Sequence, residues 1–245
     1  MKKVVAFDLD GTLTESKTDI DSEMVSLLAR LQKIKKVAVI GGATLKQFQK
    51  QFVDYLDCFE NLFLLPTSGA SFFKYENSSW QPIYQLFLTD EEKRQVFDAF
   101  EKTFKDLNYH NPEKTYGEII EDRGTEIAFS TLGQQAPLEA RKALKPDEDR
   151  RPEIIASLRS YLPNFKITLT GINTIDITRM GIDKGFAIEQ IAKVLEVTIP
   201  EIIFIGDAIF ADRNDFEIVR TGVDFVRVSG PADTKRFIQS LLVIP

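Results

Sequence analysis

Apolar residues follow two rhythms along the chain, and the switch between them outlines the fold. Residues 3–8 form a short β-branched and aromatic run stopping at Gly11, the pattern of a buried strand feeding a loop. Residues 19–32 carry Met24, Leu27, Leu28 and Leu31 at helical spacing behind the capping residues Asp19 and Asp21. A strand over 36–40 ends at Gly41-Gly42. Thr44 then caps a helix predicted to reach Leu56, with Phe48, Phe52 and Leu56 on one face. Strand, helix, strand, helix is the alternation of a parallel sheet. Then the rhythm breaks. Short strands are predicted at 63–65, 70–75 and 80–84, a long helix at 88–107, and paired strands at 119–120 and 125–131. A helix at 154–162 precedes alternating strands at 166–170 and 174–177, joined by a turn at Gly171. The parallel rhythm resumes with a helix over 184–194 and strands over 202–205 and 224–228.

This pattern predicts an α/β protein: a Rossmann-like parallel-sheet core formed by 1–86 and 183–245, interrupted by an inserted α+β module over 87–182. The mixed-charge run 139–151 reads as a solvated loop or helix start. At 245 residues, 43% of them hydrophobic, the chain can build its core without staples. No apolar stretch reaches the ~18–20 residues of a membrane span. Asp8 and Asp10 interrupt the N-terminal apolar run before a signal-peptide core can form. The single cysteine, Cys58, excludes an internal disulfide and points to a reducing compartment, so a cytoplasmic location is expected. A net charge of −6 argues against nucleic acid as a partner.

The densest chemistry lies in Asp8-Leu9-Asp10-Gly11-Thr12-Leu13-Thr14, where two carboxylates follow a hydrophobic strand and meet a glycine turn. In open α/β sheets ligands bind in the crevice outside the carboxyl ends of the strands, so both acids are expected to project into it. Two like charges held together raise one pKa or recruit a cation, and a hard divalent ion such as Mg2+ suits oxygen ligands. Three further features fall at later strand ends. Gly41-Gly42 offers backbone N–H groups to an anion. Lys184 opens the helix after the insertion, where a phosphate would sit near a helix N-terminus. Gly206-Asp207 and Asn214-Asp215 add acids after the 202–205 strand. Each alone has a bland reading as a tight turn, a surface lysine or an unremarkable Gly-Asp. Together, in this order, they predict one assembled site.

The series Asp8-Leu9-Asp10-Gly11-Thr12, Gly41-Gly42, Lys184, Gly206-Asp207 and Asn214-Asp215 resembles the four motifs of haloacid dehalogenase-like phosphotransferases. An insert after the third core strand resembles the subgroup with a large α/β cap. Within it the chain is similar to eukaryotic-type phosphomannomutases, through Gly41-Gly42, Thr174-Ile175-Asp176, Asp183-Lys184 and Asn214-Asp215-Phe216-Glu217-Ile218. The resemblance implies that Asp8 is a nucleophile giving an aspartyl-phosphate and that Asp10 is the general acid–base. It implies Mg2+ held by the Asp8 carboxylate, the Asp10 backbone carbonyl and Asp207, with Lys184 offsetting phosphate charge. Asp215, with Asn214, is implied to orient Lys184 or a metal-bound water.

Substrate selection is expected on the cap. Arg123-Gly124-Thr125 resembles the Arg-Gly-Thr of the mutases, and counting on from it makes Arg141 the counterpart of a phosphate-gripping arginine. Thr174 and Asp176 alternate onto one strand face, where they suit sugar hydroxyls. Arg123 and Arg179 are looser candidates for the phosphate grip. The chain departs from the mutase pattern at Ser130 and Glu148, where that family has arginines, and at Thr67-Ser68-Gly69, where it has a Glu-Asn-Gly-type turn. A mutase must hold two phosphates, so the missing cations favour a phosphatase of sugar phosphates or similar small phosphometabolites. A phosphosugar mutase and a non-catalytic phosphate-binding protein remain as alternatives. A small phosphate ester is the expected partner, and related caps allow a homodimer through the cap. His110 has no partner at metal-ligand spacing and reads as a surface residue.

Overall fold

The computed structural model describes residues 1–15, 18–143, 150–170, 174–210 and 215–243. In chain order the strands are β1 (Val4–Asp8), β2 (Lys36–Ile40), β3 (Leu62–Leu65), β4 (Ser71–Glu76), β5 (Ser79–Gln85), β6 (Ile120–Asp122), β7 (Ile127–Ser130), β8 (Phe165–Thr170), β9 (Thr174–Arg179), β10 (Ile202–Gly206) and β11 (Asp224–Arg227). The helices are α1 (Ser22–Leu31), α2 (Leu45–Gln51), α3 (Asp90–Asp106), α4 (Leu138–Lys142), α5 (Arg151–Tyr161), α6 (Lys184–Val194) and α7 (Pro231–Val243). They form two units, Met1–Gln85 with Ile182–Pro245, and Leu86–Gly181.

In the first unit seven strands lie in the order β11-β10-β1-β2-β3-β4-β5. The five from β11 to β3 are parallel, and β4 and β5 close the edge as an antiparallel pair. Every residue of β1 is buried because both sheet faces are covered. Val5 and Phe7 join Met24, Leu28, Phe48 and Ile238 on one side, while Val4 and Ala6 join Ala187, Ile188 and Ile191 on the other. Burying one of the larger of these side chains, such as Phe7 or Ile188, stabilises the fold by roughly 1.5–3 kcal/mol. The chain leaves β1 toward β2 on one side and returns as β10 on the other. The carboxyl end of β1 is therefore a topological switch point, the place where such sheets bind ligands.

Polar side chains punctuate the helices that frame this point. Asp21 accepts from the Met24 N–H at the start of α1, and Asp183 accepts from the Phe186 N–H at the start of α6. Thr44 and Gln47 form a reciprocal capping box on α2. This helix is shorter than its periodicity predicts. Phe52 takes a non-helical φ of −133°, so α2 stops at Gln51 and residues 53–55 make only a 3-10 turn.

The second unit is a four-stranded antiparallel sheet, β6-β7-β9-β8. Its core gathers Phe100, Phe129, Ile154, Leu158, Ile175 and Ile177 from the sheet, α3 and α5. The turn expected at Gly171 lies outside the described residues. The charge run expected to be solvated is in part not so: Arg151, which opens α5, is buried. Among the described residues no helix is long and apolar enough to cross a membrane.

Candidate active site

The end of β1 turns sharply because Gly11 adopts φ +87°, a conformation that favours glycine. The same position could not hold a side chain, since a Cβ there would lie 2.7 Å from Asp207 Oδ2. The tight turn thus brings the β1 loop against the loop after β10. Thr12, fully buried, donates its hydroxyl to Asp207 Oδ1 at 3.3 Å. Gly206 ends β10 for a similar reason: a Cβ there would strike the Asp215 carboxylate and the Phe204 ring.

Lys184 lies at the centre of the acids. Its side chain is 1% exposed, and its ammonium donates to Asp8 Oδ1 at 2.5 Å and to Asp215 Oδ1. Asp215 Oδ2 accepts from the Ala208 N–H at 3.2 Å. One carboxylate oxygen each from Asp8, Asp207 and Asp215 lies within 4.8 Å of the others. Three hard oxygen donors converging on one point are a fitting set for a small divalent cation. Burial pushes the Asp8 carboxyl well above its ordinary pKa, aided by Asp215 and Asp207 and opposed by Lys184. Asp207 is raised too, by burial and then by Asp215. Burial works against the Lys184 ammonium, yet Asp215 and Asp8 more than offset it and hold its pKa above the usual lysine value. Such a cluster is short of positive charge, and a cation would relieve it.

The structure brings Asp8, Lys184, Asp207 and Asp215 together. The Asp10 carboxylate is not in the cluster; its Oδ1 accepts from Gln51 Nε2 at 2.9 Å. Gly41-Gly42 is corrected as a nest. The Gly41 N–H donates to the Leu65 carbonyl at 3.2 Å, continuing the β2–β3 ladder, so the pair offers an anion at most the N–H of Gly42. Gly41 is small for packing, since a Cβ there would sit 3.1 Å from the Phe48 ring. Asn214 lies outside the described residues, as does Glu148. At the end of β3, Thr67 and Ser68 take φ +48° and +55°, strained values for such residues. Their N–H groups donate to the Ala43 and Gly41 carbonyls, tying the loop after β3 to the loop after β2.

In the second unit, Arg123 and Arg179 are committed to carboxylates. Arg179 forks onto Glu92, 2.6 Å from each of its carboxylate oxygens, and Arg123 pairs with Glu121 and Glu126 at 2.7 Å each. Asp176, on β9, accepts from the Thr170 hydroxyl at 2.7 Å and lies 3.7 Å from Arg123. It and Thr174 are buried. Ser130 donates its hydroxyl to the Gly133 carbonyl at 2.9 Å. Arg141, half-buried on α4, keeps a buried Nε with no hydrogen-bond partner among the described residues.

Glu126 carries no mark in the sequence, yet its chemistry is unusual. Burial, then Asp176, pushes its pKa from 4.5 to about 8 against the pull of Arg123. A folded-state pKa raised above the unfolded one gives stability that is full below the unfolded value and lost as pH rises through the folded one. Melting temperature should therefore fall as pH rises from 4.5 through about 8. The variant Glu126→Gln should flatten that fall. Parallel curves for the two proteins in differential scanning fluorimetry would refute the assignment.

The sequence profile of the haloacid dehalogenase-like hydrolases matches residues 5–223. A phosphomannomutase of Encephalitozoon cuniculi is 27% identical over 248 residues, covering 98% of this chain and 94% of that protein. The phosphomannomutase of Schizosaccharomyces pombe is 27% identical over 226 residues, covering 89% and 85%. The fold is shared with Plasmodium falciparum IMP-nucleotidase at TM-score 0.72 and 16% identity, covering 98% of this chain and 62% of that one. It is shared also with a haloacid dehalogenase-like hydrolase from Bacteroides thetaiotaomicron at TM-score 0.66 and 14% identity, covering 98% and 100%.

Proposed function

The chain belongs to the haloacid dehalogenase-like hydrolases, and from that membership we propose that it is a Mg2+-dependent phosphatase of sugar phosphates or similar small phosphometabolites. The observation that carries this reading is the Asp8 carboxylate, buried at the switch point and held by Lys184 at 2.5 Å. A carboxylate fixed at one oxygen is a positioned nucleophile. Asp8 attacks phosphorus, the bond to the ester oxygen breaks, and Asp10 gives its proton to the departing alkoxide. A water then loses a proton to Asp10 and attacks the aspartyl-phosphate, releasing phosphate and restoring Asp8. Lys184 uses two of its three N–H groups on Asp8 and Asp215, leaving one for a phosphoryl oxygen. Asp8, Asp207 and Asp215, with the Asp10 backbone carbonyl, would hold Mg2+, which supplies positive charge to phosphoryl oxygens when bound.

The second unit would act as the cap that selects substrate. A phosphosugar mutase is the second reading, favoured by relatives that are mutases over nearly the whole chain. Against it, a mutase needs a second phosphate grip. Here Arg179 is held by Glu92, Arg123 by Glu121 and Glu126, and Ser130 offers no charge, while Arg141 keeps a buried Nε without a hydrogen-bond partner among the described residues. Each charged hydrogen bond lost from that grip removes about 1.5–3 kcal/mol of binding.

The test offers the purified protein, with MgCl2, a panel of hexose and pentose phosphates, and records free phosphate and isomer interconversion together. Net phosphate release is expected. Interconversion of mannose 1- and 6-phosphates without release would establish the mutase instead. Replacement of Arg141 by Ala should raise KM for phosphosugars far more than for a small aryl phosphate, and equal effects would remove it from the substrate grip.

A further inference from the structure

We infer that Gln51 is a positioning residue for Asp10, clamping the general acid–base from outside the motif loop; this rests on the acid–base reading of Asp10 above. Gln51 is the last residue of α2 and is 9% exposed. Its side-chain amide uses both hydrogens inward, donating to Asp10 Oδ1 at 2.9 Å and to the Thr14 hydroxyl at 2.9 Å. Its backbone carbonyl accepts from the Ile20 N–H at 3.0 Å. One residue thus ties three points of the segment that follows β1, and one of those points is the carboxylate itself.

The chemistry of the contact suits a proton-transfer residue. A neutral amide fixes the rotamer of the Asp10 side chain without placing a further charge in the loop. A misoriented acid costs rate at the step where the leaving oxygen needs its proton, while substrate binding is left nearly intact. The position of Gln51 explains its reach. The helix breaks immediately after it, at Phe52, and the buried Phe48 and Phe52 seat that end of α2 in the core.

The test compares kcat/KM for phenyl phosphate and 4-nitrophenyl phosphate, with MgCl2, in wild type, Gln51→Leu, Asp10→Asn and the double variant. Nitrophenolate leaves without being protonated, whereas phenolate benefits from an acid. Gln51→Leu should therefore lose roughly 10–100-fold on phenyl phosphate and several-fold less on 4-nitrophenyl phosphate. The double variant should be no slower than Asp10→Asn, because a residue acting through another adds nothing once that partner is gone. Should Gln51→Leu not fold, the isosteric Gln51→Glu replaces the donor with an acceptor and should give the same split. Equal losses on both esters, or losses that multiply with Asp10→Asn, would make Gln51 merely structural and overturn the inference. Wild-type rates in Gln51→Leu beside a crippled Asp10→Asn would overturn it alone. Wild-type rates in Asp10→Asn would instead overturn the acid–base role on which it stands.

Discussion

Replacement of Asp8 by Asn is expected to abolish phosphate-ester turnover, by ~10⁴-fold or more, while the protein remains folded. That loss is the scale seen when the nucleophile of a covalent mechanism is removed. An amide nitrogen or oxygen in place of the carboxylate cannot form and release the phosphoryl ester. The fold should not suffer, because the anion at this position is opposed by burial and by the neighbouring Asp215 and Asp207. Melting temperature without metal should be equal to or above that of wild type. The Mg2+-induced rise in melting temperature should shrink, since the Asp8→Asn variant keeps only two of the three converging carboxylates. Phosphate release measured over a Mg2+ series, with melting curves on the same samples, separates the effects. Turnover within tenfold of wild type would remove Asp8 as nucleophile. An undiminished Mg2+ shift would remove it as a metal ligand.

The parts of this site legible in the sequence are those whose chemistry and place in the chain agree. Asp8 follows a strand buried on both faces, which reads as an unbroken apolar run ending in an acid. Lys184 begins a helix behind a capping aspartate, and both roles follow from residue type. What escapes is decided by neighbours distant in the chain. Gly41-Gly42 looks like an anion nest until β3 takes the Gly41 N–H. Glu126 alternates with Ile127 and Phe129 and so reads as facing solvent. It is buried immediately before β7, an interior strand of its sheet, against the side chain of Arg123. Gln51 reads as one more polar residue of an amphipathic helix, although it sits three residues from Phe48 and beside Phe52, flanking the apolar stripe. That spacing is the available signal. Its partner, Asp10, is 41 residues away and no local pattern announces it.

Lys184→Met should produce the largest loss of stability of any single replacement at the site. The ammonium is the one cation contacting both Asp8 and Asp215 among the described residues, and all three side chains are buried. Removing one partner of a buried ion pair leaves an uncompensated charge and costs about 3–5 kcal/mol. For a chain of this size that is a fall of roughly 6–20 °C in melting temperature. The contribution of Lys184 does not titrate away near neutrality. Its pKa is raised above the ordinary 10.5, so the stabilisation is complete below that value and is lost only at higher pH. The size of the loss should instead depend on metal. Without the ammonium, Asp8, Asp207 and Asp215 form a more negative cluster, and Mg2+ should raise the variant's melting temperature by more degrees than it raises wild type's. Turnover should not return with the stability, because the N–H left for a phosphoryl oxygen is gone. A variant as stable as wild type without metal would show that the ammonium does not neutralise these acids. One that regained full turnover with Mg2+ would show that the cation serves the fold and not the reaction.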